Sequence, residues 1–383
     1  MANNRIFYAC QAVAIAPCFD AHTAGNTKLV HGLQSVGVTT NFNLEQAFEL
    51  GQIQIYENIE GLPDVEVTLE KVLDGYPLIY HLSSPKAKSA NLVGRSKERC
   101  CVGLGIYKDE FDTASGTAPV EIYMSGMYLS SVSYTLPTDG NSTESVTLVG
   151  NQKEWFTPAS KLMNVVTDPF TTFNTSKTID TTIFTNDFPA ALVGGSGGIQ
   201  RRENVDMSQC EIPKSILRST NGAQLSAVAT GVGNNWDAET KAPIAHIQSC
   251  TISTDFGRED ILELGRKTPY YKAPNFPVEV TCEFEVISTS GDFVEAIESG
   301  VPAFGGTVNQ GNNTTEEAIK IKLTDGTFFD LGRKNRLTSV SFGGGDAGGG
   351  NATSTFSYST FNDLIVGHNL DPAKSTIEGN YPT

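Results

Sequence analysis

The stretch "TDFGREDILELGRKTPYY", Thr254–Tyr271, has a looser copy 214 positions upstream, "TNFNLEQAFELGQIQIYE", Thr40–Glu57. Over the wider windows Leu33–Pro63 and Ile247–Pro277 the two align without a gap, with 10 of 31 positions identical. Gly51/Gly265, Tyr56/Tyr270 and Pro63/Pro277 are among the identities. Self-similarity of this kind has to be settled first, because missing it misreads the whole fold. After the shared proline Asp64 reads as one inserted residue, and "VEVTLEKV" from Val65 then matches "VEVTCEFEV" from Val278. "YLSSVSY" (Tyr128–Tyr134) matches "RLTSVSF" (Arg336–Phe342) at an offset of 208, and Asn141 and Asn351 open further similar strands. Order and spacing hold over more than 110 residues in each half. The pattern reads as a tandem duplication of a whole domain: 1–193, a Gly-rich linker at 194–204, and 205–383.

Each copy carries the same local signals. "LQSVGVTTNF" and "IQSCTISTDF" are rich in β-branched residues and read as strands. A short helix is expected next, entered at Asn43 or Gly257 and stopped by Gly51 or Gly265. Ala47, Phe48 and Leu50 give it an apolar face, as do Ile261, Leu262 and Leu264. Beyond the proline, Val65, Val67 and Leu69 alternate with Glu66, Thr68 and Glu70. In the second copy Val278, Val280, Cys282, Phe284 and Val286 alternate with Glu279, Thr281, Glu283 and Glu285. A period of two gives each strand one apolar and one acidic face. Two readings stay open: ordinary half-exposed strands, or acidic faces that line one shared surface.

Composition narrows the function classes. The chain has 383 residues, 39% hydrophobic and only 18% charged, with 37 glycines, which favours β-rich domains with many turns. A net charge of −16 argues against a nucleic-acid binder, which needs a cationic footprint. The seven cysteines form no C-x-x-C pair, and the adjacent Cys100 and Cys101 suit neither an ordinary disulfide nor zinc. Buried free thiols in a reducing cytoplasm are expected. The N-terminus lacks the basic start and long apolar core of a signal peptide, and no run reaches the length of a membrane span.

No motif supports catalysis. His22, His31, His81, His246 and His368 lie in no metal-ligand spacing and read as structural. Gly194–Gly198 satisfies G-x-S-x-G only inside the linker, where a nucleophile elbow has no strand or helix to sit on. "TDGNSTESVTLVGN" from Thr138 begins like a calcium loop but has Glu144 at the glycine position and Gly150 in place of the last acid. It reads as a hairpin turn, matched by "SFGGGDAGGGN" at Ser341–Asn351. No catalytic, cofactor-binding or metal-binding residues are expected.

"GREDILELGRKTPYYKAPNFPVEVT", Gly257–Thr281, resembles the tail-tube proteins of tailed bacteriophages. Its signature elements here are Glu263–Gly265, Tyr270, Tyr271 and Phe276–Thr281; the first copy matches at Gly51, Tyr56 and Leu62–Thr68. The resemblance covers about 45 residues in each half, where family members usually carry one tube domain. It implies a mainly β fold: two tandem β-sandwich or half-barrel tube domains, each with a short flanking helix. It further implies a structural virion protein, made in the host cytoplasm, whose rings stack around a DNA-conducting channel. Six domains close such a ring, so two per chain imply a homotrimer with pseudo-sixfold symmetry. Its partners would be further copies of itself, other tail proteins such as a sheath, terminator or baseplate, and DNA in transit. Glu66, Glu70, Glu279 and Glu283, with Glu285 continuing the row, are then the residues expected to face the lumen. A baseplate hub or tail-tip ring of the same fold is the near alternative. A hydrolase would need a convergent His and acid, and a β-sandwich adhesin would favour exposed aromatics in its variable loops.

Overall fold

The computed structural model describes residues 6, 8–18, 27–51, 53–86, 90–107, 118–164, 198–213, 215–217, 246–288, 294, 316–344 and 350–368. The first four residues of the expected linker, 194–197, lie outside them. The strands are β1 Gln11–Pro17, β2 Lys28–Leu29, β3 Leu33–Asn41, β4 Leu44–Phe48, β5 Ile55–Glu60 and β6 Asp64–Val72. Two short helices follow, α1 Ile79–Ser83 and α2 Leu92–Arg95, then β7 Cys100–Ile106, β8 Val120–Pro137, β9 Thr143–Gly150 and β10 Glu154–Phe156. The later strands are β11 Ile247–Asp255, β12 Glu259–Ile261, β13 Tyr271–Ala273, β14 Glu279–Ile287 and β15 Lys320–Lys322. β16 Thr327–Asp330, β17 Arg336–Gly343, β18 Thr353–Phe361 and β19 Ile365–His368 complete the set. The protein is mainly β, and its strand pairings are antiparallel.

β8 organises the molecule. It is 18 residues long and passes through Gly126, whose φ of +66° few other residues tolerate. β8 pairs with β10 before the glycine and with β7 as far as Met127; from Tyr128 on it pairs with β9 and β11. The second half thus sits in an unbroken run of eight strands, β3-β6-β9-β8-β11-β14-β18-β17.

The two halves of that run are built alike. β3·β6 slips register between Leu33 and Ser35, and β11·β14 slips between Ile247 and Ser249. β8·β9 slips between Leu129 and Ser131, and β17·β18 between Leu337 and Ser339. These bulges are landmarks, and they correct the alignment of the acidic strands. Ser35 faces Glu70 and Ser249 faces Glu285, so Glu70 corresponds to Glu285 and Glu66 to Thr281. The expected matches Glu66/Glu279 and Glu70/Glu283 are two residues out, and the extra residue is Val278, not Asp64. A two-residue slip keeps every side chain on its face, which is why the sequence pattern tolerated it.

The expected short helices at 43–51 and 257–265 are β-hairpin arms instead. β4 pairs with β5, and β12 with β13. Asn43 (φ 47°) and Gly257 (φ 51°) turn the chain into the arms, and Gly51 (φ 93°) and Gly265 (φ 83°) lie in their connections. A left-handed glycine ends a helix and turns a hairpin equally well. The large apolar residues of the expected helix faces are not packed on the sheet: Phe48, Leu50, Leu262 and Leu264 are exposed. A second correction concerns the cysteines. Cys18 and Cys101 form a disulfide with Cα atoms 5.4 Å apart, while Cys10, Cys100, Cys210, Cys250 and Cys282 are buried thiols outside any disulfide.

The core lies on one face of the eight-stranded run. Val65, Val67, Leu69, Val132, Tyr134, Ile252, Val280, Phe284, Phe356 and Tyr358 are buried in one cluster. Each such side chain contributes about 1.5–3 kcal/mol. Two carboxylates serve this core as scaffolding. Glu144 accepts the backbone N–H of Ile79 (2.7 Å) and Tyr80 (3.0 Å), anchoring the first turn of α1. Burial pushes its carboxyl above the usual range against those hydrogen bonds. Glu121 accepts four N–H groups, from Ser160, Lys161, Leu162 and Met163. The expected hairpin turn at 138–142 joins β8 to β9.

Candidate functional site: a polar sheet face with two open edges

The other face of the eight strands is mostly polar, with Val149 opposite Glu66 and Ile287 at the end of β14 among its apolar residues. One row of directly opposed residues runs Ser35, Glu70, Ser145, Ser133, Ser253, Thr281, Ser359, Arg336. A neighbouring row runs Thr143, Thr135, Thr251, Glu283, Ser357, Ser339. The side chains are hydroxyls and carboxylates, and the cation in these rows is Arg336 at the β17 end. Hydroxyls hold the acids in place. Ser35 Oγ donates to Glu70 (3.4 Å), Ser249 Oγ to Glu285 (3.4 Å) and Ser357 Oγ to Glu283 (3.2 Å). The first two are the same contact in corresponding places.

The structure puts Glu66, Glu70, Glu279, Glu283 and Glu285 together on this face, each opposite a buried apolar row. Glu283 and Glu285 are two residues apart on one strand, roughly 6.8 Å, where like charges repel by only about 0.6 kcal/mol in water. The sheet carries that acidity cheaply while its edge of solvent remains open. Among the described residues no group of three or more His, Cys, Asp or Glu could hold a metal ion. His31 contacts Asp74 (2.8 Å), and His81 Nε2 contacts the Val366 carbonyl (2.9 Å). Asp74 also takes the buried Lys71 ammonium (2.5 Å); burial raises its carboxyl, but Lys71 and His31 outweigh that and hold it below the usual range. Of the motif residues, Tyr56 and Tyr270 are exposed on the arms, and Pro277 follows a cis peptide bond where Pro63 does not.

The two halves meet where β8 pairs with β11, Ser131–Pro137 against Asp255–Ser249. Sequence reasoning did not single out the residue that locks this junction. Arg258, at the root of the second arm, donates to the carbonyls of Leu129, Lys272 (2.9 Å) and Ser96 (2.7 Å). Its guanidinium lies over the rings of Tyr128 (4.9 Å) and Phe256 (5.3 Å). Burial lowers its pKa to about 10, so it stays charged at neutral pH. Lys272 on the same arm bridges Asp260 (2.7 Å) and, across the junction, Asp64 (3.7 Å). Tyr271 packs edge-on against Tyr128 with centroids 5.7 Å apart. The signal was present in "GRED", but an arginine beside two acids reads as a solvated charge until its three carbonyl partners are seen.

The sheet ends at two edges of opposite kind. Among the described residues β3 pairs with β6 alone and β17 with β18 alone. Both edges are more exposed than the strands they correspond to, β11 and β8.

No family model and no curated protein matches the chain. Solved structures do. One is the tube-terminating cap of the anti-feeding prophage, at 13% identity and a TM-score of 0.30, covering 41% of this chain and 94% of that one. A protein of the anti-feeding prophage baseplate matches at 10% identity and a TM-score of 0.31, covering 42% and 100%. A protein of the PVC sheath–tube complex, from an extracellular contractile injection system, matches at 12% identity and a TM-score of 0.28, covering 41% and 94%.

Proposed function

We propose that the chain is a non-enzymatic structural subunit of a phage-type tail tube: a duplicated tube domain whose polar sheet face lines a channel for DNA. The observation that carries this reading is the eight-stranded run with one hydroxyl-and-carboxylate face and an open edge at each end. Open edges invite pairing, and a ring removes them. The matching bulges and strand order of the two halves support the duplication, and so three chains for six domains.

Size points the same way. Three such sheets contribute 24 strands. At about 4.8 Å per strand and a tilt of about 40°, the backbone diameter is about 48 Å. Side chains of about 5 Å on each wall leave about 38 Å, ample for a duplex roughly 20 Å wide. Two chains would leave only about 22 Å, with no clearance for a hydrated duplex. The acidic lining suits passage rather than capture, since like charge keeps DNA off the wall. The exposed apolar residues of the arms, Leu50 and Ile53 on one and Leu262 and Leu264 on the other, suit contacts between stacked rings. A hub or tail-tip ring shares all of this except the stacking.

Native mass spectrometry of the purified assembly tests the count. The expected single ring contains three 41.1 kDa chains. A ring of six chains with no three-chain form would contradict it.

A further inference from the structure

We propose that β17 of one chain pairs with β3 of a second copy in the register of the internal β8·β11 junction, with a charged pair, Arg336 and Glu57, standing where Tyr128 and Tyr271 meet inside the chain. This rests on the ring reading above and adds what holds the ring together. The bulges fix β17 as the counterpart of β8 and β3 as the counterpart of β11. The internal junction is therefore a template for the external one. Transferring its pairs places Ser341 opposite Thr39, Phe342 opposite Val38 and Ser339 opposite Asn41, from Ser133/Ser253, Tyr134/Ile252 and Ser131/Asp255.

Burial supports the transfer residue by residue. Phe256 is 0% exposed at the internal junction, where its N–H bonds to the Ser130 carbonyl (2.8 Å). Its counterpart Phe42 is 64% exposed. Tyr134 is 0% exposed; its counterpart Phe342 is 53% exposed. Covering two large aromatics on two complementary edges is what a second copy would accomplish, and an unrelated partner would have no reason to match both.

The chemistry of the arms differs between the two junctions in a complementary way. The registers of the hairpins, Ala47↔Glu57 and Ile261↔Tyr271, make Glu57 the counterpart of Tyr271. Arg336 is the counterpart of Tyr128. Side chains that meet as two rings inside the chain would thus meet as carboxylate and guanidinium between chains. Arg336 already has an exposed acidic neighbour, Glu316 at 3.6 Å, so its charge is held at this edge. The Lys272–Asp64 bridge transfers to Asn58 and Glu279, an amide donor facing a carboxylate. With Glu57 at one edge and Arg336 at the other, pairing β3 with β3 or β17 with β17 would set like charges together, which opposes those wrong pairings.

The test is a disulfide. Ser133 and Ser253 lie between hydrogen-bonded pairs of the ladder, at the narrow spacing of about 4.5 Å between Cα atoms. Full-length chain carrying Thr39→Cys and Ser341→Cys, assembled and then oxidised, is expected to give covalent dimers and trimers on a non-reducing gel. Thr39→Cys with Ser339→Cys, two residues out of register, should give at least ~10-fold less. Glu57→Arg or Arg336→Glu alone should raise the concentration for half-assembly about tenfold, and the two together should restore it. Three-chain rings with no in-register crosslink overturn the edge pairing and leave the ring reading standing. In-register crosslinks that end at another chain number support the edge and overturn the trimer. A chain that stays monomeric and uncrosslinked overturns both.

Discussion

Replacing Glu66, Glu70, Glu279, Glu283 and Glu285 by lysine is expected to leave assembly intact and turn a DNA-repelling channel into one that holds DNA. The five sit on the solvent side of strands whose other side is buried, so their exchange leaves the core untouched. Surface changes of this kind cost within about 0.5 kcal/mol each. Their effect on DNA is far larger. A protein that makes six to ten phosphate contacts loses roughly 10³–10⁵ in affinity between 50 and 200 mM salt, and three chains bring well over that number of lysines together. The wild-type ring should show no binding to a short linear duplex at 50 mM salt. The lysine ring should bind it tightly, with a steep salt dependence. Topology separates a lined channel from an outer surface: a closed circular plasmid cannot thread a closed ring. If plasmid binds the lysine ring as well as linear duplex does, the face lies outside.

Arg258→Ala is expected to have the largest effect on stability of any single change at the junction, about 3 kcal/mol. The substitution strands the carbonyls of Leu129, Lys272 and Ser96 and removes the cation from over Tyr128 and Phe256. Those groups belong to both halves, so the loss loosens the second arm from β8 rather than one half alone. Arg258→Lys keeps the charge but presents a point donor where a planar fork reached three acceptors, and should recover less than half the loss. Denaturant unfolding gives the size of the effect, and hydrogen exchange at residues 129–131 and 271–273 gives its place. An unchanged midpoint in Arg258→Ala would mean the arm is held by its ring contacts alone.

How much of this was legible beforehand varied with the kind of signal. The alternation in Val65–Glu70 and Val278–Glu285 survives intact, because a strand between core and solvent writes its period directly into the sequence. The strands at 33–41 and 247–255 were equally plain. The arms were misread because Ala47, Phe48 and Leu50, like Ile261, Leu262 and Leu264, read as one apolar helix face, and such a face means a helix only when the chain has its own surface to bury it on. Here Phe48, Leu50, Leu262 and Leu264 face outward. The two-residue error at Glu66 arose from matching the letters "VEVT", which bulges in the partner strands override. The Cys18–Cys101 bridge joins positions 83 apart that nothing local connects. Arg258 was in the quoted motif, but its role depends on carbonyls from three separate segments. Of the candidate site, the acidic face could be read from sequence and the two edges could not, since an edge is a property of which strands lack a second neighbour.

The central claim is that the polar face looks into a closed ring, and a cryo-EM map of the assembly at side-chain resolution tests it most directly. The expected map shows three chains whose eight-stranded sheets join without a break, with Glu70 and Glu285 of every chain pointing into the channel. A map in which those glutamates lie on the outer wall, or in which β3 and β17 remain unpaired edges, would contradict it.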